Sequence, residues 1–309
     1  MGFYYSASDF FKEKFGRKIY KISLDGGCSC PTRDGTLDTR GCIFCSGRGS
    51  GDFAPFPGLS VSEQIEEGKA LVIKKLGRKR PDMSRRNFIA YFQNYTNTYG
   101  NPGRLYSMYL EALNHKDIAG LDIATRPDCL NTEILRYLGE LAEKNFVIVE
   151  LGLQTTNEKT ASYIRRGFNN EAYFDAVKKL HDTCSSIHVV THTIFYLPGE
   201  TEADMIKTVE DSVNAGTDGI KISLLHVLKG TDLAEDYKKG LFTLPEMEEY
   251  FSVISKAIKK IPENIVIHRL TGDGPKNLLI APLWTGEKKK VLNAMNKYFF
   301  SNNVYQGRN

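Results

Sequence analysis

From residue 18 onward the chain alternates short apolar runs with amphipathic stretches, and this alternation limits the folds open to it. Lys18 to Asp25 (KIYKISLD), Asn87 to Gln93 (NFIAYFQ), 119–125 (AGLDIAT), 146–153 (FVIVELGL), 187–196 and 218–228 read as strands rich in β-branched and aromatic residues. Residues 61–76, 103–115, 131–144, 157–165, 170–183, 201–215 and 245–260 read as the intervening and following helices. Six strand–helix units with buried strands argue for a parallel sheet, either doubly wound and open or closed toward a barrel.

Polar residues help choose between these architectures. Alternate residues share a strand face, so Glu150, Gly152 and Gln154 point together, as do His192, Ile194 and Tyr196, and Lys221 with Ser223. A face that ought to be core therefore carries polar groups, and Gln93, Arg126, Gln154 and His192 recur at strand ends. A barrel whose interior is a reaction chamber accounts for this mixture, because barrel sites gather at the C-terminal ends of the strands. The expectation is an α/β fold: a partial (β/α)6 TIM-like barrel at 18–261, an N-terminal arm at 1–17, and a C-terminal extension at 262–309 capping the barrel mouth. That extension places His268, Arg269, Asp273 and Lys276 in a Gly-broken loop before the single Trp and a final amphipathic helix. An ordinary surface loop is the plainer alternative for it.

The first strand runs directly into a cysteine-rich loop. Four of the six cysteines lie between Cys28 and Cys45, and Cys30, Cys42 and Cys45 bound the string CPTRDGTLDTRGCIFC. Three thiolates can hold three irons of a [4Fe-4S] cube, leaving the fourth iron open to a small molecule. An open coordination position is where metal sites react. Cys28 supplies the alternative, a closed four-thiol zinc knuckle in a non-catalytic RNA-binding protein. Against it, the Cys28–Cys30 pair is tighter than the usual C-x₂₋₄-C half. Cys28 also follows an apolar strand, where a small buried residue is expected. Cys129 and Cys184 lack a C-x₂-C partner, so a second complete cluster has no evident ligands. Cys129, just past a strand end, reads as inert core, with hydrogen-atom donation as the alternative.

A chain of 309 residues fits one large domain. Its 41% hydrophobic and 25% charged residues are globular values, and no stretch approaches the roughly 18 apolar residues that a membrane helix needs. The N-terminus lacks a secretory signal, so a cytoplasmic location without membrane attachment is expected. Its first six residues match an M-G-x-x-x-[ST] acylation pattern that is common by chance. The net charge is only +4, but Lys74, Lys75, Arg78, Lys79, Arg80, Arg85 and Arg86 face Asp82 alone, and a second run spans Lys288 to Lys290. Such runs are solvated helix ends or contacts to a phosphate backbone.

The stretches FGRKIYKISLDGG, CPTRDGT with GCIFC, YFQNYTNTYG, IATRPDCL, ELGLQT, HTIFYLPGET, LLHVLKGT and IHRLTGDGPKNLLIAPLW resemble the radical S-adenosylmethionine (radical SAM) superfamily. Most members space their first two cysteines by three residues. The longer spacing is that of the YhcC/YtqA-like group, a relative of the Elongator catalytic-subunit lineage, which commonly carries an aromatic residue where this chain has Cys28. The resemblance implies that Cys30, Cys42 and Cys45 bind a [4Fe-4S] cluster whose open iron takes the amino and carboxylate groups of S-adenosyl-L-methionine. Phe44 matches the aromatic position near the adenine. The segment Gln93-Asn94-Tyr95-Thr96-Asn97 takes the place of a GGE-like contact to the methionine amino group but lacks its glycines and glutamate, leaving Gln93, Asn94 and Thr96 as candidates. Gln154 and Arg166 match ribose or carboxylate contacts, and Ile194 to Glu200 matches an adenine-side motif.

The resemblance also implies a 5′-deoxyadenosyl radical that takes a hydrogen atom from substrate, and an electron donor such as flavodoxin or ferredoxin. The substrate it implies is a tRNA wobble uridine, with carboxymethylaminomethyluridine converted toward aminomethyluridine. A non-RNA substrate is the alternative. Lys221, His268, Arg269 and Lys276 are the candidates for a pocket receiving the modification's carboxylate.

Overall fold

The computed structural model of the chain describes residues 2–49, 58–77, 86–272 and 274–308. In order, its elements are α1 (Ala7–Phe15), β1 (Tyr20–Leu24), α2 (Val61–Leu76), β2 (Phe88–Phe92), α3 (Pro102–Asn114), β3 (Ile118–Thr125), α4 (Thr132–Ala142), β4 (Phe146–Gln154), α5 (Glu158–Tyr163) and α6 (Asn170–Thr183). They continue with β5 (His188–Phe195), α7 (Glu202–Asn214), β6 (Gly219–Leu224), β7 (Val227–Leu228), α8 (Asp232–Lys238), α9 (Met247–Lys259), β8 (Val266–Arg269), β9 (Leu279–Ala281) and α10 (Lys288–Ser301).

Seven strands form one parallel sheet in the order β1-β2-β3-β4-β5-β6-β8. Every residue of β2 and of β6 is buried, as expected for strands covered on both faces. The sheet curls into a half-barrel with helices outside, and its outer strands β1 and β8 do not pair with each other. The helices start where the sequence supplies caps. Ser60 and Glu63 form a capping box at α2, and Thr201 and Asp204 form one at α7. Asn101, Asn131, Asn157 and Asn169 each accept a first-turn N–H at α3, α4, α5 and α6.

Apolar packing falls into two large groups. Ile22, Leu24, Ile65, Phe92 and Tyr109 lie in the one under the early strands, and Phe251, Ile254, Ile267 and Phe299 in the one under the late strands. Among the described residues no helix is long and apolar enough to cross a membrane.

The late strands depart from the expected pattern. The run 218–228 is two strands: β6 ends at Leu224, and β7 pairs antiparallel with β9 in a separate ribbon. The stretch 262–309, expected only to cap the barrel, contributes β8, the seventh strand of the main sheet. The arm contains a helix, and its Tyr5 carbonyl accepts the Ile267 N–H at 2.8 Å. Gln306, near the other end of the chain, accepts the Tyr5 N–H at 2.7 Å and donates to the Ile265 carbonyl at 2.8 Å. Both ends of the sequence are thereby tied to β8.

Candidate active site

The C-terminal ends of the parallel strands open into one cavity of 980 Å³, near the upper end of the roughly 300–1,000 Å³ usual for ligand sites. Cys30, Cys42, Cys45 and Phe44 all border it. The loop carrying them is held from several sides. Thr96 donates its N–H to the Ser29 carbonyl at 3.2 Å, tying the end of β2 to the start of the loop. Tyr95, at φ 54°, donates its N–H to Gly49 and its hydroxyl to Gly47. Its ring lies so close that a Cβ on Gly49 would come within 2.2 Å of it. Arg33 reaches across the loop, donating to the carbonyls of Cys45 and Ser46 at 3.0 and 2.8 Å. It also places its guanidinium 5.8 Å from the Tyr95 ring. Gly41, at φ 75°, leaves room for this crossing, since a Cβ there would meet Arg33 Nε at 2.8 Å. The long spacing between Cys30 and Cys42 is thus folded back so that all three thiols face one space.

The donor set fits an iron–sulfur cluster better than a zinc ion. The three sulfurs are not all within 4.8 Å of one another, whereas tetrahedral zinc with bonds of about 2.3 Å draws its ligands to roughly 3.8 Å. Burial, reinforced by the sulfurs of Cys45 and Cys30, pushes the Cys42 thiol up to about 12, with Arg126 and Arg33 opposing. A bound cation reverses that preference, because a coordinating thiol gives up its proton. Cys28 does not join them. It is buried, outside the cavity lining, near the Gly26 carbonyl at 3.6 Å and Arg104 Nη2 at 3.5 Å. Cys129 is also outside the lining; burial and the neighbouring Asp128 carboxylate push its thiol up to about 12.

Of the positions matched to S-adenosylmethionine contacts, Phe44, Gln93, Thr96 and Gln154 border the cavity. Gln154 ends β4 at φ 64°, a left-handed turn that redirects the chain. Asn94 and Arg166 do not border the cavity. Asn94 donates to Asp25 at 2.7 Å. Arg166, 1% exposed, spends its guanidinium on the carbonyls of Leu153, Thr155 and Phe168 and on Glu158 and Asn170. Within Ile194–Glu200 only Ile194 borders the cavity. Tyr196, which strand alternation would aim inward, has φ 65° and packs near Tyr250 at 6.2 Å instead.

Deeper in the barrel lies a buried charge network that strand alternation foretold only in part. Lys221 Nζ donates to Glu150 at 2.6 Å and to the Tyr91 hydroxyl at 2.9 Å, and that hydroxyl donates to Glu150 at 2.7 Å. Lys21 bridges Asp122 and Glu150. Burial and the Glu150 charge raise the Asp122 carboxyl to about 7. Lys221 and Lys21 outweigh the burial of Glu150 and hold it ionised. Burial lowers Lys221 to about 8.

Lys21, Tyr91 and Asp122 escaped notice because apolar neighbours surround them, yet the same two-residue alternation places Lys21 with Ser23, Tyr91 with Gln93, and Asp122 with Arg126. The four pocket candidates now separate. Lys221 is held by Glu150 and Tyr91, and His268 shares a 3.0 Å contact with His188. Lys276 is exposed at the mouth. Arg269, opposite Lys221 in the β6–β8 register, borders the cavity, and its guanidinium has no hydrogen bond or ion pair to a described residue. Asp273 lies outside the described residues.

A half-barrel with three thiols on the loop after its first strand, bordering a chamber with a charged floor, has the architecture and donor set of a cluster-dependent enzyme. The radical SAM superfamily model matches residues 39–212, and the radical SAM C-terminal domain model matches 217–300. The Bacillus subtilis protein YtqA is 39% identical over 305 residues, covering 99% of this chain and 92% of YtqA. The chain belongs to the radical SAM superfamily, in its YhcC/YtqA-like group, and is an enzyme whose cofactors are a [4Fe-4S] cluster and S-adenosylmethionine. A tRNA uridine(34) acetyltransferase from Methanocaldococcus jannaschii is 30% identical over 174 residues, which is 55% of this chain and 31% of that protein. Among solved structures, the archaeal Elp3 of Methanocaldococcus infernus, lacking its N-terminus, shares the fold with a TM-score of 0.68 at 18% identity. The match covers 93% of this chain and 64% of that one.

Proposed function

We propose that this enzyme acts on the carboxymethylaminomethyl group of a tRNA wobble uridine, converting it toward aminomethyluridine: the group loses a hydrogen atom and one further electron, which returns to the electron carrier, and water then releases the two carboxymethyl carbons as an oxo acid. The observation that carries the reading is the Arg269 guanidinium, which has no hydrogen bond or ion pair to a described residue, set in the same cavity that the three thiols border. A planar fork of donors matches a carboxylate, and because Lys21 and Lys221 are balanced by Asp122 and Glu150, the Arg269 charge is left in excess on the floor. The tRNA acetyltransferase relative acts, by its name, on uridine 34, which supports a nucleotide of that kind as substrate.

In this reading Cys30, Cys42 and Cys45 hold the cluster, while Phe44, Gln93, Thr96 and Gln154 face S-adenosylmethionine. Asn94 and Arg166 position the loops behind them. When bound, the two cofactors supply a one-electron cleavage that yields methionine and a 5′-deoxyadenosyl radical able to take a hydrogen atom from substrate. A small electron carrier of the flavodoxin or ferredoxin class supplies that electron. The chain's own residues orient the substrate and exclude water, with Ile194 and Leu225 as apolar wall and Arg269 as the anchor for the carboxylate.

The test compares modified nucleosides in tRNA from cells with and without the gene. Carboxymethylaminomethyluridine should accumulate in the deletion, be converted again when the wild-type gene is restored, and stay unconverted with Arg269→Ala. Wobble uridines identical in the two strains would overturn the assignment.

A further inference from the structure

β1 and β8 do not pair with each other, so the sheet stays unclosed between them, with the arm's Ser6 bridging to β8 at Ile267. Helix α2 stands on the β1 side, and its Gly68 packs so closely that a Cβ there would come within 2.1 Å of Ile22 Cγ2. Gly68, Leu71, Val72 and Lys75 recur at the spacing of one helix face, and all four border the cavity. A surface helix normally buries such a stripe. Here Leu71 is 55% exposed. On the β8 side, the loop after Arg269 brings Lys276 to the same cavity, and the start of α10 brings Lys288. The Lys75 and Lys276 side chains are exposed and make no hydrogen bond or ion pair with a described residue. The described residues lining this cavity include eight Lys or Arg and a single acid, Glu150.

Lys75 of the first basic run and Lys288 of the second thus border one slot, while residues 78–85 of the first run lie outside the described residues. We propose that this slot is the docking surface for a single-stranded RNA segment. Its phosphates lie against Lys75 on one lip and against Lys276 and Lys288 on the other, while the target nucleotide passes between them into the chamber. The inference rests on the RNA reading above and adds the route and the residues. Lysine on an exposed lip gives affinity for a phosphate backbone without reading sequence. The apolar Leu71 and Val72 between the lysines offer contact area for an unstacked base or sugar. A nucleotide modified in a deep pocket must leave its stack, and a slot open along one side admits it without threading a strand end.

The test uses the full chain with its cluster reconstituted and a labelled tRNA anticodon stem-loop, with affinity measured across a range of salt concentrations. The double variant Lys75→Gln/Lys276→Gln should bind about tenfold more weakly, with the slope of log affinity against log salt reduced by roughly 0.7 per lost contact. A control pair on outer surfaces, Lys144→Gln/Lys178→Gln, should keep the wild-type slope. If the lip variant matches wild type while wild type binds the stem-loop in a salt-dependent way, the slot is overturned and the RNA reading stands. An equal loss in the control pair also overturns the slot. If wild type shows no salt-dependent binding, the RNA reading fails and the slot with it.

Discussion

Glu150 is the residue on which the chamber floor turns. Its two oxygens accept from Lys221, Tyr91 and Lys21, so neutralising it leaves the buried Lys221 ammonium without its carboxylate, while Lys21 keeps Asp122. Glu150→Gln should cost about 3–5 kcal/mol in denaturant unfolding, the range for breaking a buried pair. Glu150→Leu/Lys221→Met, which removes the second charge as well, should recover part of that loss. A single variant within 1 kcal/mol of wild type would contradict this account. Glu150 and Lys221 were legible in the sequence because a charge at an inward strand position stands out. Asn94 and Arg166 show what sequence hides. Both residue types suit a ligand contact, but hydrogen bonds formed only in the folded loops turn them away from the cavity.

At the level of elements, the four-residue β8 was the least legible. Its half-polar sequence VIHR resembles a loop, and only its place beside β6 and the tie from Tyr5 make it a strand. The alternating early strands and the capped helices were plain, because burial on both faces and Asn, Ser or Thr caps leave strong local patterns. Where β4 and β5 end, positive φ at Gln154 and Tyr196 breaks the alternation that the sequence projected.

The junction of α1, β5 and β8 carries a pH dependence. His188 is 9% exposed, stacks on Phe10 with centroids 4.7 Å apart, and shares its 3.0 Å contact with His268. Burial lowers it to about 4, Asp218 opposes, and Lys21, Lys14 and His181 reinforce the shift. A histidine with a depressed folded value contributes fully above its unfolded value near 6.5, and that contribution is lost as pH falls through the folded value. Wild type should therefore lose about 2 kcal/mol relative to His188→Asn between pH 7 and pH 5 in paired unfolding curves. A constant difference between the two would contradict the burial of a neutral His188.

For the whole molecule, the decisive arrangement is long-range. The cysteine loop after β1 is locked by the end of β2, and the chamber it faces is floored by side chains from β1 through β8. Cysteine spacing left a fourth ligand open; the fold places Cys28 in the apolar packing with Met108 and Tyr109, outside the cavity lining. The central claim is that three cysteines hold a cluster whose remaining iron is free to bind S-adenosylmethionine. Iron content and electron paramagnetic resonance of anaerobically reconstituted, reduced protein test it directly, with and without S-adenosylmethionine. Wild type and Cys28→Ser should each hold about four irons and shift their spectra when it is added, while single Ala variants of Cys30, Cys42 or Cys45 should lose the intact cluster signal. Loss of the cluster in Cys28→Ser, or a wild-type spectrum indifferent to S-adenosylmethionine, would contradict the account.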